Sequence, residues 1–303
     1  MKWARAAEEA IARVPFFVRR RVRKRVEDEA ERRHSREVTL EHVHACKQKF
    51  LNNMEDEVNG YQIETCFGPG GCPNRVIEDP DLVKQLETIL VSKDLRAFLK
   101  NRVGGPLKLH HEFRVSVSNC PNACSRPQIA DLGLIGAALP RLSTGGCTGC
   151  GACVAICRED AIQLSGIGDE PLIDHEKCLS CGQCISVCPG GVLGGETKGY
   201  RILLGGKLGR RPQLARELEG IYSKEETLRV VDRCLDHYLE HSVAGERFGE
   251  ILNRTGEEST AFAAKLETEI SPCKDMNRHC EADSPKQSKN EHERIASSSD
   301  SSQ

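Results

Sequence analysis

Aromatic residues are scarce in this chain of 303 residues, which has one Trp, four Tyr and eight Phe, 4% in all. That supply is lean for a large self-supporting hydrophobic core. Long apolar runs are missing too. None approaches the roughly 18 residues that a helix needs to cross a bilayer, which argues against a helical membrane protein. Neither sign of charge dominates: 43 Lys and Arg face 45 Asp and Glu, a formal net charge of −2. Nothing global therefore points to nucleic acid. The opening Met1-Lys-Trp-Ala-Arg-Ala-Ala-Glu-Glu9 is charged and lacks the continuous apolar stretch of a secretory signal, so the expectation is a cytoplasmic, reducing compartment. Cysteine is what the chain has in excess, with 16 residues.

Eight of these cysteines form two copies of one pattern, Cys147-Thr-Gly-Cys150-Gly-Ala-Cys153-Val-Ala-Ile-Cys157 and Cys178-Leu-Ser-Cys181-Gly-Gln-Cys184-Ile-Ser-Val-Cys188-Pro189. The C-x2-C-x2-C-x3-C run lets three thiolates of a tight loop grip one face of a [4Fe-4S] cubane, and the fourth cysteine ligates the other cluster. One cluster would take Cys147, Cys150, Cys153 and Cys188. The other would take Cys178, Cys181, Cys184 and Cys157. Gly151 and Gly182 suit a backbone that bends closely around iron. Zinc sites and disulfide frameworks are the competing readings, but zinc sites join two cysteine pairs, whereas here each run holds four with an internal repeat. Arg158 stands where the second copy has Pro189 and removes no ligand. Residues 143–192 resemble a bacterial-type two-cluster ferredoxin.

Four further cysteines lie upstream, Cys66 and Cys72 in Glu64-Thr-Cys-Phe-Gly-Pro-Gly-Gly-Cys-Pro-Asn-Arg75, and Cys120 and Cys124 in Ser118-Asn-Cys-Pro-Asn-Ala-Cys-Ser-Arg126. A pair at x5 and a pair at x3, separated by a helical stretch, can supply four thiolates to one more cubane. These motifs resemble the cluster-binding signature of siroheme-dependent sulfite and nitrite reductases. The resemblance covers about Tyr61 to Gly136 and resumes at Gly199–Pro212. A ferredoxin inserted into that core resembles the dissimilatory and anaerobic sulfite reductase subunits. The resemblance implies three [4Fe-4S] clusters and siroheme, with Cys124 bridging the cubane to the siroheme iron. It also implies an α+β fold, a small oxyanion substrate (sulfite or nitrite) and an electron-donor protein. Reductases of this family enclose the tetrapyrrole between two homologous halves, and this chain is short for both. A second copy or a partner subunit would then complete the pocket. The alternative is an iron–sulfur electron-transfer subunit without siroheme that serves a partner reductase, and a tetrapyrrole-handling accessory protein is a third reading.

The family's substrate pocket is lined by lysines and arginines on and near one strand. Glu112–Ser118 alternates Phe113, Val115 and Val117 against polar neighbours and reads as that strand, delivering Cys120 at its end. Arg114 and Lys108 are accordingly the candidate sulfite ligands, and a solvent-facing strand edge is the bland alternative. Siroheme carries eight carboxylates, so its pocket should collect cations. Arg75 and Arg126, each just beyond a cysteine pair, are the better candidates because arginine binds carboxylate bidentately. Lys207, Arg210 and Arg211 are candidates by position, in a loop that is otherwise an ordinary basic turn. Gly205 and Gly206 would permit close approach of backbone to the macrocycle or a cluster. His110 and His111 read as structural.

The sequence divides into a helical module at 1–55, a reductase core at 56–142 and 193–255, the ferredoxin insertion at 143–192 and a polar tail at 256–303, expected to be disordered. In the module, helices are expected over Ala6–Val14, Phe16–Arg36 and from a Thr39 cap to Met54. Trp3, Val14-Pro-Phe-Phe-Val-Arg19, Val26-Glu27, Val38-Thr39 and Ala45 resemble the small C-terminal module of light-independent protochlorophyllide reductase. The basic run Arg19–Arg25 is followed by Glu27, Asp28, Glu29 and Glu31, so it reads as a charge-laced exposed helix, with docking to an acidic partner second. In the core, Asp79–Val103 reads as an amphipathic helix broken near Ser92. Helices are also expected at Pro212–Gly220, Glu225–His241 and Glu246–Asn253. Cys234 and Cys46 read as packing residues, and Cys273 and Cys280 lie in the tail.

Overall fold

The computed structural model describes residues 1–143, 146–166, 170–194 and 197–270. Its first unit is a small helical module. Strand β1 (Lys2–Trp3) precedes α1 (Arg5–Ala12) and α2 (Phe16–Arg32), then β2 (Glu37–Val38) pairs with β1 in parallel and leads into α3 (Leu40–Asp56). Pro15 separates the first two helices, because it cannot donate to the turn before it. Helix α2 stops four residues short of the expected Arg36; His34 adopts a left-handed φ of 54°. The α3 start is capped by the amide of Thr39, which donates to Nδ1 of His42 at 3.0 Å. Ala7, Ile11, Val26, Ala30 and Val38 form the module's own core. The charged face of α2 is laced as its sequence implies: Glu29 accepts both Arg32 and Arg33, and Arg23 reaches Glu8.

A five-stranded sheet builds the main body. It comprises β3 (Tyr61–Thr65), β4 (Phe113–Ser118), β5 (Leu132–Leu139), β8 (Thr197–Leu204) and β9 (Arg216–Glu217), in the order β3-β4-β5-β8-β9. The connection from β3 to β4 contains α4 (Leu82–Ser92) and α5 (Leu95–Arg102), with Asp94 in left-handed conformation at the break expected near Ser92. Strands β3, β4 and β5 run parallel, whereas β5 and β8 are antiparallel. One face of the sheet turns Phe113, Val115, Val117, Leu134 and Ile202 into the core, against Leu86 of α4 and Val231 and Leu235 of α8 (Lys224–His241). Phe248 and Ile251 of α9 (Phe248–Thr255) close it.

The opposite face of β4 carries Arg114, Ser116 and Ser118, as the two-residue period requires. It is not an exposed edge. Strand β4 lies between β3 and β5, and Ser116 and Ser118 are buried. The small inserted unit leaves and re-enters the sheet at one place, because Leu139 and Thr197 are register partners on β5 and β8. Inside it are α6 (Ala152–Ile156), the antiparallel pair β6 (Ile162–Leu164) and β7 (Pro171–Ile173), and α7 (Gln183–Ser186). Ala138 of β5 donates to the carbonyl of Ser180 at 2.7 Å, which attaches the insertion to the sheet.

Two expectations need correction. Pro212–Gly220 is not helical; it pairs back onto β8 through β9, and Leu218 donates to Ile202. The polar stretch after Gly256 contains α10 (Glu257–Glu269), and Ala263 and Leu266 of this helix and Ile270 just after it are buried in the main core. Phe262, Leu266 and Ile270 recur at helical spacing, a signal that average composition conceals. Cys273 and Cys280 lie outside the described residues. Cys234 is fully buried in α8, and Cys46 packs against the module's core.

Candidate iron–sulfur and anion site

Two parallel strands end side by side and each delivers a cysteine. Thr65 of β3 is the register partner of Val117 of β4, and the Cys66 amide donates to the Val117 carbonyl at 3.1 Å. Cys66 and Cys120 thus follow neighbouring strand ends. The Cys66 sulfur accepts two amides, from Gly68 and Asn119, each at 3.3 Å. Asn119 also anchors the chain just beyond the second cysteine of the first pair. Its carbonyl accepts the amide of Val76 at 2.8 Å, and its side-chain amide donates to the Ile77 carbonyl at 2.9 Å. Burial pushes the Cys120 thiol up, and the charges of Cys124, Cys66 and Cys72 act in the same direction, so the four sulfurs share one neighbourhood. Cys120 is buried while Cys124 is exposed.

The eight cysteines of the insertion line two cavities. One cavity is lined by Cys147, Cys150, Cys153 and Cys188, with Leu164, Pro171, Val192 and Leu193. Backbone amides of Leu193, Val192, Gly190 and Gly191 around Cys188 hold its thiol below the ordinary range, and Gly149 donates to Cys147 at 3.5 Å. A second cavity is lined by Cys157, Cys178, Cys181 and Cys184. Burial pushes the Cys184 thiol up to about 12. Ala161 and Ser180 donate amides to Cys157 and Cys178, each at 3.4 Å. Gly151 and Gly182 have φ of 68° and 67°, which glycine adopts without strain. Amide donors at sulfur and apolar walls suit a cubane held by thiolates. Every described cysteine is free, and among the described residues no three His, Cys, Asp or Glu side chains close on a single ion. Each of these two tetrads lines a cavity, as a cluster held by thiolates would need.

The second cavity also includes Asn74, Cys120, Pro121 and Asn122 in its wall. The Cys157/Cys178/Cys181/Cys184 site therefore abuts the Cys120 loop. No such residue lines the first cavity, which makes it the outer of the two.

The candidate cations separate into two groups. Arg114 is half-buried on the sheet face that carries Ser116 and Ser118; its Nε is buried and has no hydrogen-bond partner among the described residues. Its main-chain amide donates at 2.9 Å to Asp131, which is fully buried and also binds Arg247 through both Nε and Nη2. Lys108 is exposed, ahead of a short turn at Leu109–His111. Burial lowers the His110 pKa, and the charges of Lys108, Arg247 and Arg114 lower it further, so these cations lie together. The cysteine loop folds back over β4: the Ser116 hydroxyl donates to the Ser125 carbonyl at 2.7 Å. That holds the residue after Cys124 against the strand that bears Arg114.

Arg126 is exposed and lies 4.0 Å from Glu64, while Arg75 is exposed and pairs with Glu78 at 3.0 Å. Both keep their charge at the surface, beside the cysteine loops that precede them. Lys207 does not. It is buried and its Nζ donates to Glu250 at 2.6 Å, so its charge is committed to α9. Gly205 and Gly206 also serve packing: a Cβ on Gly206 would strike the Gln128 and Ala130 carbonyls, and one on Gly205 would meet Leu252 at 2.7 Å. Arg210 and Arg211 are exposed. Asn119 and Ser125 are structural members of the site that sequence reasoning missed, and Ser116 and Ser118 were read only as the polar face of the strand. Serine alternation on the strand was the available signal.

Residues 59–272 match the family described as nitrite and sulphite reductase 4Fe-4S domain, and residues 3–47 match the proto-chlorophyllide reductase 57 kD subunit family. The coenzyme F420-dependent sulfite reductase of Methanocaldococcus jannaschii is 30% identical over 197 residues, 63% of this chain and 28% of that protein. An anaerobic sulfite reductase subunit of Salmonella typhimurium is 27% identical over 138 residues, 41% of this chain and 36% of the relative. The crystal structure of dissimilatory sulfite reductase I superposes with a TM-score of 0.44 at 18% identity, covering 74% of this chain and 57% of the other. The chain thus aligns with about a third of the length of the curated relatives.

Proposed function

This chain belongs to the nitrite and sulphite reductase 4Fe-4S domain family, and from that premise we propose that it is the iron–sulfur half of a siroheme-dependent reductase taking sulfite to sulfide. The observation that carries this reading is the meeting of the two cysteine pairs beside a cationic strand face. Cys66, Cys72, Cys120 and Cys124 would hold one cubane, with the exposed Cys124 turned to siroheme. Arg126 and Arg75 would receive the carboxylates of that group, and Arg114 with Lys108 would receive the oxyanion. Siroheme, when bound, supplies the iron at which sulfur is reduced. The protein's part is to place charge and deliver electrons and protons.

Six electrons must arrive singly. The shared wall at Cys120, Pro121 and Asn122 supports a route from the outer Cys147/Cys150/Cys153/Cys188 cluster to the inner Cys157/Cys178/Cys181/Cys184 cluster and then to the third cubane. Arg114 offers an N–H that nothing among the described residues satisfies, a cost of about 1–3 kcal/mol that an anion would offset. The exposure of Cys124 and Arg126 supports a partner subunit or second copy that covers this face. No helix among the described residues is long and apolar enough to cross a membrane.

Anaerobic purification followed by iron counting and acid–acetone extraction tests the reading. Three clusters predict about twelve irons, and siroheme adds one more with its visible spectrum. Turnover of sulfite and of nitrite, driven by reduced methyl viologen, then identifies the oxyanion. Twelve irons without extractable tetrapyrrole, even with the partner subunit, would replace the reductase reading with an electron-transfer subunit.

A further inference from the structure

The strand face that bears Arg114 continues into a hydroxyl network beneath Cys124. Ser116, Ser118 and Ser125 are 1%, 0% and 7% exposed. The Ser116 hydroxyl donates to the Ser125 carbonyl at 2.7 Å, and the Ser125 hydroxyl donates to the Val117 carbonyl at 2.9 Å. A hydroxyl has one proton, so the 2.6 Å contact between Ser118 and Ser125 must take its proton from Ser118. The Ser118 oxygen in turn accepts the Ser125 amide at 3.3 Å. The amide, carbonyl and hydroxyl of Ser125 are thus all bound to β4.

That attachment is needed because the loop is strained. Ala123 and Arg126, which flank Cys124 and Ser125, both have left-handed φ, 50° and 58°. Each costs roughly 1–2 kcal/mol for an L-residue and persists only where the surroundings over-determine it. Cys66 has two amides on its sulfur, whereas the sulfur of Cys124, an exposed residue, has no hydrogen bond among the described residues. Its direction depends on the backbone alone.

We infer that the Ser116–Ser118–Ser125 network is a positioning device for Cys124, fixing the direction in which the exposed thiolate leaves the protein. The inference rests on the reading that Cys124 ligates the third cubane. Ser125 touches neither substrate nor reacting atoms; it acts through its neighbour.

The test uses the full chain, reconstituted anaerobically with iron and sulfide, as wild type and as Ser125→Ala, Ser118→Ala and the double variant. The readouts are the electron paramagnetic resonance signal and midpoint potential of the third cluster, and chelator-driven iron release. Each single variant is expected to shift and broaden that signal while the two ferredoxin signals stay unchanged. Each single variant removes two buried hydrogen bonds, and iron release from the third site should quicken by at least about fivefold, the effect of one such bond. The double variant should fall short of the sum, because the two side chains share a bond. A lowered melting temperature with an unaltered third-cluster signal, potential and release rate would overturn the inference. Should Ser125→Ala fail to fold, Ser118→Ala decides by the same readouts. Wild-type protein with about eight irons would overturn both the reading and the inference; about twelve irons with wild-type behaviour in the variants overturns the inference alone.

Discussion

The main-chain amide of Asn119 donates to the sulfur of Cys66 at 3.3 Å across 53 residues of sequence. This one bond joins the cysteine pair after β3 to the pair after β4, and the tight packing around it leaves little freedom. A Cβ added to Gly68 would lie 2.6 Å from the Asn119 Cβ. Gly68→Ala should therefore displace Asn119 and weaken the third site. Total iron is expected to fall from about twelve toward about eight per chain, with both ferredoxin signals retained. Iron and acid-labile sulfide assays check this, and full iron content in the variant would show that the loop tolerates the displacement.

Arg114 provides the most direct test of the anion pocket. Its Nε is buried without a partner among the described residues, and Arg114→Ala removes that group from the proposed substrate face. A buried charge-assisted contact of this kind is worth on the order of 2–4 kcal/mol in the transition state, or at least about thirtyfold in kcat/KM for sulfite. Viologen-driven kinetics measure the loss, and the siroheme spectrum should stay nearly intact. Unchanged kinetics would return Arg114 to a packing role.

Much of this site was legible because metal chemistry imposes short spacings. The two four-cysteine runs stand out by their spacing alone, and their cysteines line two cavities. Strand β4 was legible from alternation, and the helix break near Ser92 from its periodicity. Less legible was anything that depends on a distant partner. Lys207 in a glycine-rich basic turn resembles a ligand for carboxylates, and only the fold reveals Glu250 beside it. Ser116 and Ser118 looked like a polar face for solvent or substrate, yet the returning loop buries them. Helix α10 was hidden by composition, since a few apolar residues at the right spacing suffice to dock a polar helix.

Asp131 is fully buried and accepts Arg247 together with the amides of Arg114 and Phe248. Removing the carboxylate would strand a cation that is itself largely buried. Asp131→Ala should lower stability by about 3–5 kcal/mol, the typical cost of breaking a buried pair from one side. Denaturant unfolding followed by circular dichroism measures this, and a loss under about 1 kcal/mol would mean that water reaches the pair.

The pair between Lys207 and Glu250 has a pH signature. Its hydrogen bond from Lys207 lowers the Glu250 pKa below the ordinary carboxylate value. A depressed folded-state pKa gives stability that is present above the unfolded value and is lost as pH falls through the folded value. Lys207→Met should therefore flatten the acid limb of the stability profile, while siroheme content stays at the wild-type level. Loss of siroheme with an unchanged acid limb would instead assign Lys207 to the cofactor.

Electron delivery and chemistry should separate on mutation. Cys188 lines the outer cavity, away from the Cys120 loop, whereas Cys124 belongs to the set proposed to hold the third cubane. Serine oxygen is a harder and poorer ligand for iron–sulfur centres than thiolate, so Cys188→Ser should make the outer cluster labile or shift its potential. Turnover driven by a protein donor, which enters through that cluster, is then expected to collapse. Reduced methyl viologen is small enough to reach an inner centre, so dye-driven turnover should largely survive. Cys184→Ser, in the cavity that shares a wall with Cys120, should likewise spare the dye route but leave the outer cluster reducible by the protein donor. Cys124→Ser removes the thiolate proposed to join the third cubane to siroheme, and both routes should fail. The order outer, inner, third is read from the donor-reduced states: outer cluster reduced and third oxidised in Cys184→Ser, neither inner nor third reduced in Cys188→Ser. Reduction of the third cluster by the donor in Cys184→Ser would break the proposed sequence, because electrons would then be bypassing the cavity that abuts Cys120.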